Sequence, residues 1–252
     1  VRKKDLPFFM NLMDKLNLKN IICPKPLKNK KGQHLSKIKG KSSCIVSFVE
    51  GKDKTKLNNQ NCFEIGKNIA KFHQVSNRIK LYRRNSMSVT QLDSLLKSIK
   101  IKSSKVSSGI VPILYKNLKD IKKEWPKDLP SGIIHGDLFI DNIFFNKNNF
   151  SGFIDFYFSS NDYLMYEIAI CINALCFDKK NNKFIINHKK IKNLINGYET
   201  IRVFSKKEKD SLNVLCRGAA LRYLLTRVYD YFNTPKNALI KIKDPKEYLQ
   251  KL

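Results

Sequence analysis

The sequence predicts an α+β fold with a small sheet lobe first and a large, mainly helical lobe after it. Three observations carry this. The first 51 residues hold one amphipathic helix followed by short extended stretches punctuated by glycine, and residues 132–156 form a compact group of short apolar strands and polar loops. Nearly all of the rest repeats apolar residues at helical spacing. With 252 residues, 42% of them hydrophobic, 11% aromatic and only 10 Gly and 8 Pro, the chain can bury a core and is neither collagen-like nor disordered.

Residues 5–17 read as a helix, with Asp5 as N-cap, Pro7 in the first turn and Leu6, Phe9, Leu12, Met13 and Leu16 on one face. An extended stretch at 20–27, a turn at Lys30-Lys31-Gly32, a short strand near 33–38, a turn at Gly40 and an apolar strand over 43–49 follow. Helices are expected at 58–74, 90–100 and 113–124, and Trp125-Pro126 with Pro130 breaks the pattern. Strands at 132–134, 143–145 and 151–156 come next, and from residue 163 onward the chain reads as almost entirely helical, over 163–177, 186–200, 206–232 and 245–250.

Charge excludes less than it suggests. The formal charge is +28 from 49 Lys+Arg against 21 Asp+Glu, but only 8 of the basic residues are Arg. Base-reading and phosphate-clamping surfaces favour the planar fork of Arg, and no dense basic stretch here is interleaved with aromatics, so the excess reads as solvated lysine surface and no nucleic-acid partner is expected. No apolar run approaches the ~18–20 residues that span a bilayer, so no membrane partner is expected either. The six cysteines lack any C-x-x-C pair and the four histidines lack metal spacing; both suit a reduced, cytoplasmic protein without a zinc site. Gly40-Lys41-Ser42 resembles the end of a Walker A loop, but position 35, where that motif needs glycine, is Leu, so a tight turn is expected.

The chemistry sits between 134 and 156. His135-Gly136-Asp137 and Asn142 form an H-x-D-x-x-x-x-N loop between apolar strands, and Asp155 follows at the end of the next strand, 13 residues after Asn142. Phosphoryl transfer needs such a set: an Asp to orient the acceptor hydroxyl and take its proton, and an Asn and a second Asp to hold Mg²⁺ on the nucleotide phosphates. Asp137 is therefore the candidate base, Asn142 and Asp155 the candidate metal ligands, and His135 a loop organiser. Taken singly, Asp137 reads more readily as a turn cap, Asn142 as a local side-chain to backbone bond and Asp155 as a strand end; the joint spacing reverses this in favour of the site.

The HGDL-x-x-DN loop, the SGFIDFYF strand and the following Asn161-Asp162 resemble the aminoglycoside phosphotransferase and choline kinase superfamily, and within it the homoserine kinases that share this fold. The stretches IVSFVEG at 45–51, AICINA at 169–174 and RGAALRYLLTR at 217–227 extend the resemblance along nearly the whole chain. The resemblance implies a protein-kinase-like fold and ATP- and Mg²⁺-dependent phosphorylation of the side-chain hydroxyl of L-homoserine, a step toward threonine. It implies that residues 1–52 are the remainder of a nucleotide-binding lobe and hinge, with Ser47, Phe48 and Val49 meeting the adenine, and that 53–252 form the catalytic lobe. It also implies that the initial strands of that lobe, with the Lys that such kinases carry there, are missing before residue 1, so the chain alone should bind ATP poorly. Glu167 stands where Asp is more usual in the superfamily, read as a neutral structural change.

A homoserine site must meet a carboxylate and an ammonium, for which Arg222, Arg227, Tyr157 and Asp162 are candidates; an internal ion pair of the arginines with a carboxylate such as Asp162, Glu167 or Asp230 is the competing expectation. Choline, methylthioribose and aminoglycosides are the alternative acceptors, and a degenerate, basic RNA-binding protein is the alternative from another class.

Overall fold

The computed structural model describes residues 2–103, 106, 109–235, 237–239 and 242–252. In chain order the elements are α1 (Leu6–Asn17), β1 (Ser36–Ile38), β2 (Lys41–Ser43), α2 (Asn59–Ser76), α3 (Leu92–Ser103), α4 (Ile110–Glu124), β3 (Ser131–Ile134), β4 (Ile143–Asn146), β5 (Asn149–Phe153) and β6 (Ser160–Tyr163). There follow α5 (Leu164–Leu175), β7 (Phe177–Lys180), β8 (Lys183–Ile186), α6 (His188–Glu199), α7 (Lys206–Asn233) and α8 (Lys246–Lys251). Among the described residues the strand pairs β1–β2, β3–β6, β4–β5 and β7–β8 are antiparallel ribbons of two. The chain gathers into two compact units.

The first unit takes Val1–Asn85, Pro130–Cys176 and His188–Phe204. Its core is the predicted face of α1 (Phe9, Leu12, Met13, Leu16), the apolar side of α2 (Ile65, Ile69, Phe72) and the nearly all-buried α5. Asn58 and Asn61 close a reciprocal capping box at the start of α2. α2 and α6 pack unusually close: a Cβ on Gly66 would lie 2.0 Å from the Leu194 carbonyl oxygen, and one on Gly197 2.0 Å from that of Phe63. Only glycine permits that approach at either position.

The second unit takes Ser86–Leu129, Phe177–Asn187 and Ser205–Leu252. The 28-residue α7 starts at a Ser205/Glu208 capping box and is flanked by α3, α4 and α8. Leu92, Leu96, Leu114, Leu118, Leu221, Leu224 and Val228 fill the space between them. Arg217 on α7 reaches Glu124 at the end of α4 at 3.1 Å.

Four expectations need correction. Asp5 does not cap α1 through its side chain; its carboxylate instead takes Arg2 at 3.0 Å and Arg83 at 3.1 Å. Residues 43–49 are not a strand: among the described residues they hold only the last position of β2 and a single bridge, Val46 to Pro26, and Ile45 and Phe48 lie in solvent. α4 begins at Ile110, because Pro112 lies in its first turn, where a missing N–H costs nothing. The stretch after residue 162 is interrupted by the β7–β8 hairpin, whose turn residues Asn181 and Asn182 both adopt positive φ (48° and 59°), the signature of a tight two-residue hairpin.

Candidate active site

β3 ends at Ile134 and the chain turns sharply through Gly136, whose φ of 78° disfavours any side chain and whose Cβ would meet the Phe158 carbonyl oxygen at 3.0 Å. The loop then closes on itself. The Phe139 N–H donates to the Asp137 carbonyl at 2.9 Å, and the Asn142 N–H donates to Phe139 at 3.0 Å, completing the short 3-10 turn Ile140–Asn142. The Asn142 side-chain amide donates to the Asp137 carbonyl at 2.8 Å and to its carboxylate Oδ2 at 3.3 Å. With its NH₂ group spent on Asp137, Asn142 keeps its amide oxygen available as an acceptor.

The far side of the loop is tied to the next strand. Ile154 N–H donates to the Asn142 carbonyl at 3.0 Å, and the fully buried His135 ring donates from Nε2 to the Ile154 carbonyl at 2.9 Å. A carbonyl only accepts, so Nε2 carries the proton. The ring also packs 4.6 Å from Phe156. His135 thus braces the backbone that leads to Asp155.

Asp155 is not within a strand, as expected, but two residues beyond β5, in the left-handed region at φ 62°, ψ 59°. Asp is among the few residues that tolerate this conformation, which turns the chain into the 3-10 turn Phe156–Phe158. Asn142 and Asp155 offer hard oxygen ligands. Among the described residues no cluster of three or more His, Cys, Asp or Glu could hold a metal. A Mg²⁺–nucleotide calls for only one or two protein oxygens, phosphate supplying others, and this donor set fits it.

Glu167, read from the sequence as a neutral structural change and as a candidate partner of the arginines, instead binds the backbone of the loop. It is the one acid on α5, fully buried in the first turn. Its carboxylate accepts the His135 N–H and, at 3.1 Å to Oε1, the Gly136 N–H, so two backbone donors at the root of the loop are satisfied from α5. His73 Nε2 on α2 lies 3.9 Å from its Oε2. The signal available in the sequence was a single carboxylate inside an otherwise apolar helix.

The other candidates fall as follows. The Tyr157 hydroxyl lies 3.8 Å from Cys44 Sγ, and burial, then Cys44 and the Asp155 charge, push its pKa up to about 12. Asp162, on β6, accepts the Asn85 side-chain amide at 2.6 Å and the Tyr163 N–H at 2.8 Å. Ser47 is pinned to Lys25 through its N–H and its Oγ, both at 2.9 Å; Phe48 is exposed and Val49 buried. In the second unit Arg222 is buried with its guanidinium 4.7 Å from the Tyr223 ring centre. Arg227 donates to Glu247 at 2.6 Å and to the Asp244 carbonyl at 3.1 Å, an internal ion pair of the kind expected, with Glu247 as the carboxylate. A further network was not foreseen: Arg83 joins Asp5 to the Ser159 carbonyl at 2.9 Å, and although burial raises the Asp5 carboxyl, its bonds to Arg2 and Arg83 hold it below the usual range.

Comparison with known proteins decides the family. Residues 2–187 match the phosphotransferase enzyme family. Homoserine kinases of Allorhizobium ampelinum and Agrobacterium fabrum are 41% and 42% identical to the chain over all 252 residues, covering 78% and 77% of their own lengths. The chain belongs to the phosphotransferase enzyme family, in its homoserine kinase branch. As a member it is a kinase, an enzyme that uses ATP. The fold is shared with solved structures: an amicoumacin kinase bound to AMP-PNP, Ca²⁺ and Ami gives a TM-score of 0.74 at 13% identity, covering 99% of this chain and 77% of that one. The choline kinase of Cryptosporidium parvum gives 0.66 at 16% identity, covering 100% and 78%.

Proposed function

We propose that this kinase transfers the γ-phosphoryl group of ATP to the side-chain hydroxyl of L-homoserine, giving O-phospho-L-homoserine for threonine synthesis. The observation that carries the chemistry is the Asn142 amide clamping Asp137 within a loop whose other end is bonded to the Asp155 strand. The acceptor is taken from relatives named homoserine kinase at about two-fifths identity along the whole chain.

In this reading Asp137 orients the acceptor hydroxyl and takes its proton as the phosphoryl group leaves ATP. The Asn142 amide oxygen and the Asp155 carboxylate would hold Mg²⁺, which would supply neutralisation of charge on the transferring group. Residues 47–49 form the hinge against the adenine, supported by the fixing of Ser47 to Lys25, and residues 1–52 belong to the nucleotide lobe. Tyr157 keeps its proton throughout the physiological range and is assigned to the substrate side of Asp155, whose charge it feels. Asp162 is assigned to the substrate ammonium. Arg227 is assigned to the fold, because Glu247 and Asp244 occupy it.

The lysine excess is assigned to solvent-facing surface, and the six free cysteines suit the reducing cytoplasm. No described helix is long and apolar enough to cross a membrane. A coupled ADP-release assay on the full-length gene product with homoserine, choline, threonine and serine tests the acceptor. Turnover with homoserine at least about tenfold above the others is expected; turnover with choline alone would overturn the assignment.

A further inference from the structure

We propose that Tyr198 is a positioning residue for the catalytic loop, acting through His73 and Glu167. The glycine contacts between α2 and α6 bring the two side chains together: His73 lies seven residues from Gly66, on the same helix face, and Tyr198 follows Gly197 directly. The Tyr198 hydroxyl sits 2.9 Å from His73 Nδ1, with both residues fully buried. On the opposite edge of the imidazole, Nε2 faces the Glu167 carboxylate at 3.9 Å.

The direction of the hydrogen bond follows from its ends. Arg202 Nη1 donates to the Tyr198 hydroxyl oxygen at 3.5 Å, an arrangement compatible with the hydroxyl donating to Nδ1. A carboxylate beside Nε2 favours the tautomer that places the proton on that nitrogen. With the proton on Nε2, Nδ1 is an acceptor, which gives one arrangement: Tyr198 O–H to Nδ1, and Nε2–H toward Glu167. The Tyr198 ring is itself fixed, stacked on Phe204 at 4.4 Å and 12°. A neutral His73 of the other tautomer would point a lone pair at the carboxylate and push it off the His135 and Gly136 N–H groups. At 3.9 Å the contact of Nε2 with Glu167 is electrostatic, and the buried, low-dielectric setting strengthens it.

The contribution to turnover rests on the phosphoryl-transfer reading; the tautomer and its effect on the loop do not. The experiment uses the ¹⁵N-labelled full-length gene product, with the His73 signal assigned by its loss in His73→Gln. The wild type should show Nε2–H at His73. Tyr198→Phe keeps the stack on Phe204 and removes only the hydroxyl; it should mix the tautomers and speed exchange of the Gly136 amide about tenfold. Turnover should fall about three- to tenfold with the KM for ATP unchanged, since the loop is displaced without loss of a ligand contact. An Nδ1–H tautomer in the wild type, or Tyr198→Phe with wild-type Gly136 exchange, would overturn the proposal. The exchange effect in a protein inactive on homoserine would sustain the positioning role and reject the acceptor.

Discussion

Glu167 in the first unit and Arg227 in the second are both charged side chains withdrawn from water, and they serve different ends. Glu167 is satisfied by backbone N–H groups some thirty residues earlier in the chain, so its charge fixes the shape of a loop whose side chains stay available for chemistry. Arg227 is satisfied by the Glu247 carboxylate and the Asp244 carbonyl, so its charge fastens the last helix to α7. A buried charge spent on backbone amides organises a site, whereas one spent on an opposite charge closes a piece of fold. Residue type alone does not distinguish them.

The largest effect that could break this contrast is at Glu167. Glu167→Ala leaves two buried N–H groups without their acceptor, at about 1–3 kcal/mol each, and releases the loop. Turnover should fall about 100-fold, and thermal unfolding should shift down. A variant that loses stability but keeps its turnover would make Glu167 a plain fold residue like Arg227. Glu247→Gln is the smaller, complementary test: about 1–3 kcal/mol of stability at neutral pH, with little change in turnover per folded molecule. Burial raises the Glu247 carboxyl, but Lys251 and Arg227 together bring it below its ordinary value of 4.5. A lowered folded-state pKa means stabilisation present above about pH 4.5 and lost as pH falls through the folded value. The wild-type and Glu247→Gln denaturation curves should therefore converge in acid. A difference that grows as pH falls would contradict the ion pair.

The same contrast explains what the sequence could and could not convey. Asp137, Asn142 and Asp155 were legible because loop chemistry requires fixed residue types at fixed short spacing, and the amphipathic helices were legible from their periodicity. The role of Glu167 at the loop and the pairing of His73 with Tyr198 were not, because the partners lie 32 and 125 residues apart along the chain and no local pattern links them. β6 was missed since Ser160-Asn161-Asp162-Tyr163 carries no apolar alternation; it is a strand because β3 pairs with it, Gly132 facing Asp162. The β7–β8 hairpin did carry a local signal, Asn181-Asn182 between alternating residues, which the helical spacing on either side obscured. Residues 43–49 misled in the opposite direction: an apolar run there makes one bridge, and Phe48 faces water.

The central claim is that Asp137, held by Asn142 and by a loop anchored on Glu167, takes the proton of the acceptor hydroxyl. The direct measurement is homoserine-dependent ADP release by Asp137→Ala in the full-length gene product, alongside its affinity for ATP. Turnover should fall by about 10²–10⁴-fold while ATP affinity stays close to that of the wild type. Wild-type turnover in that variant would contradict the account.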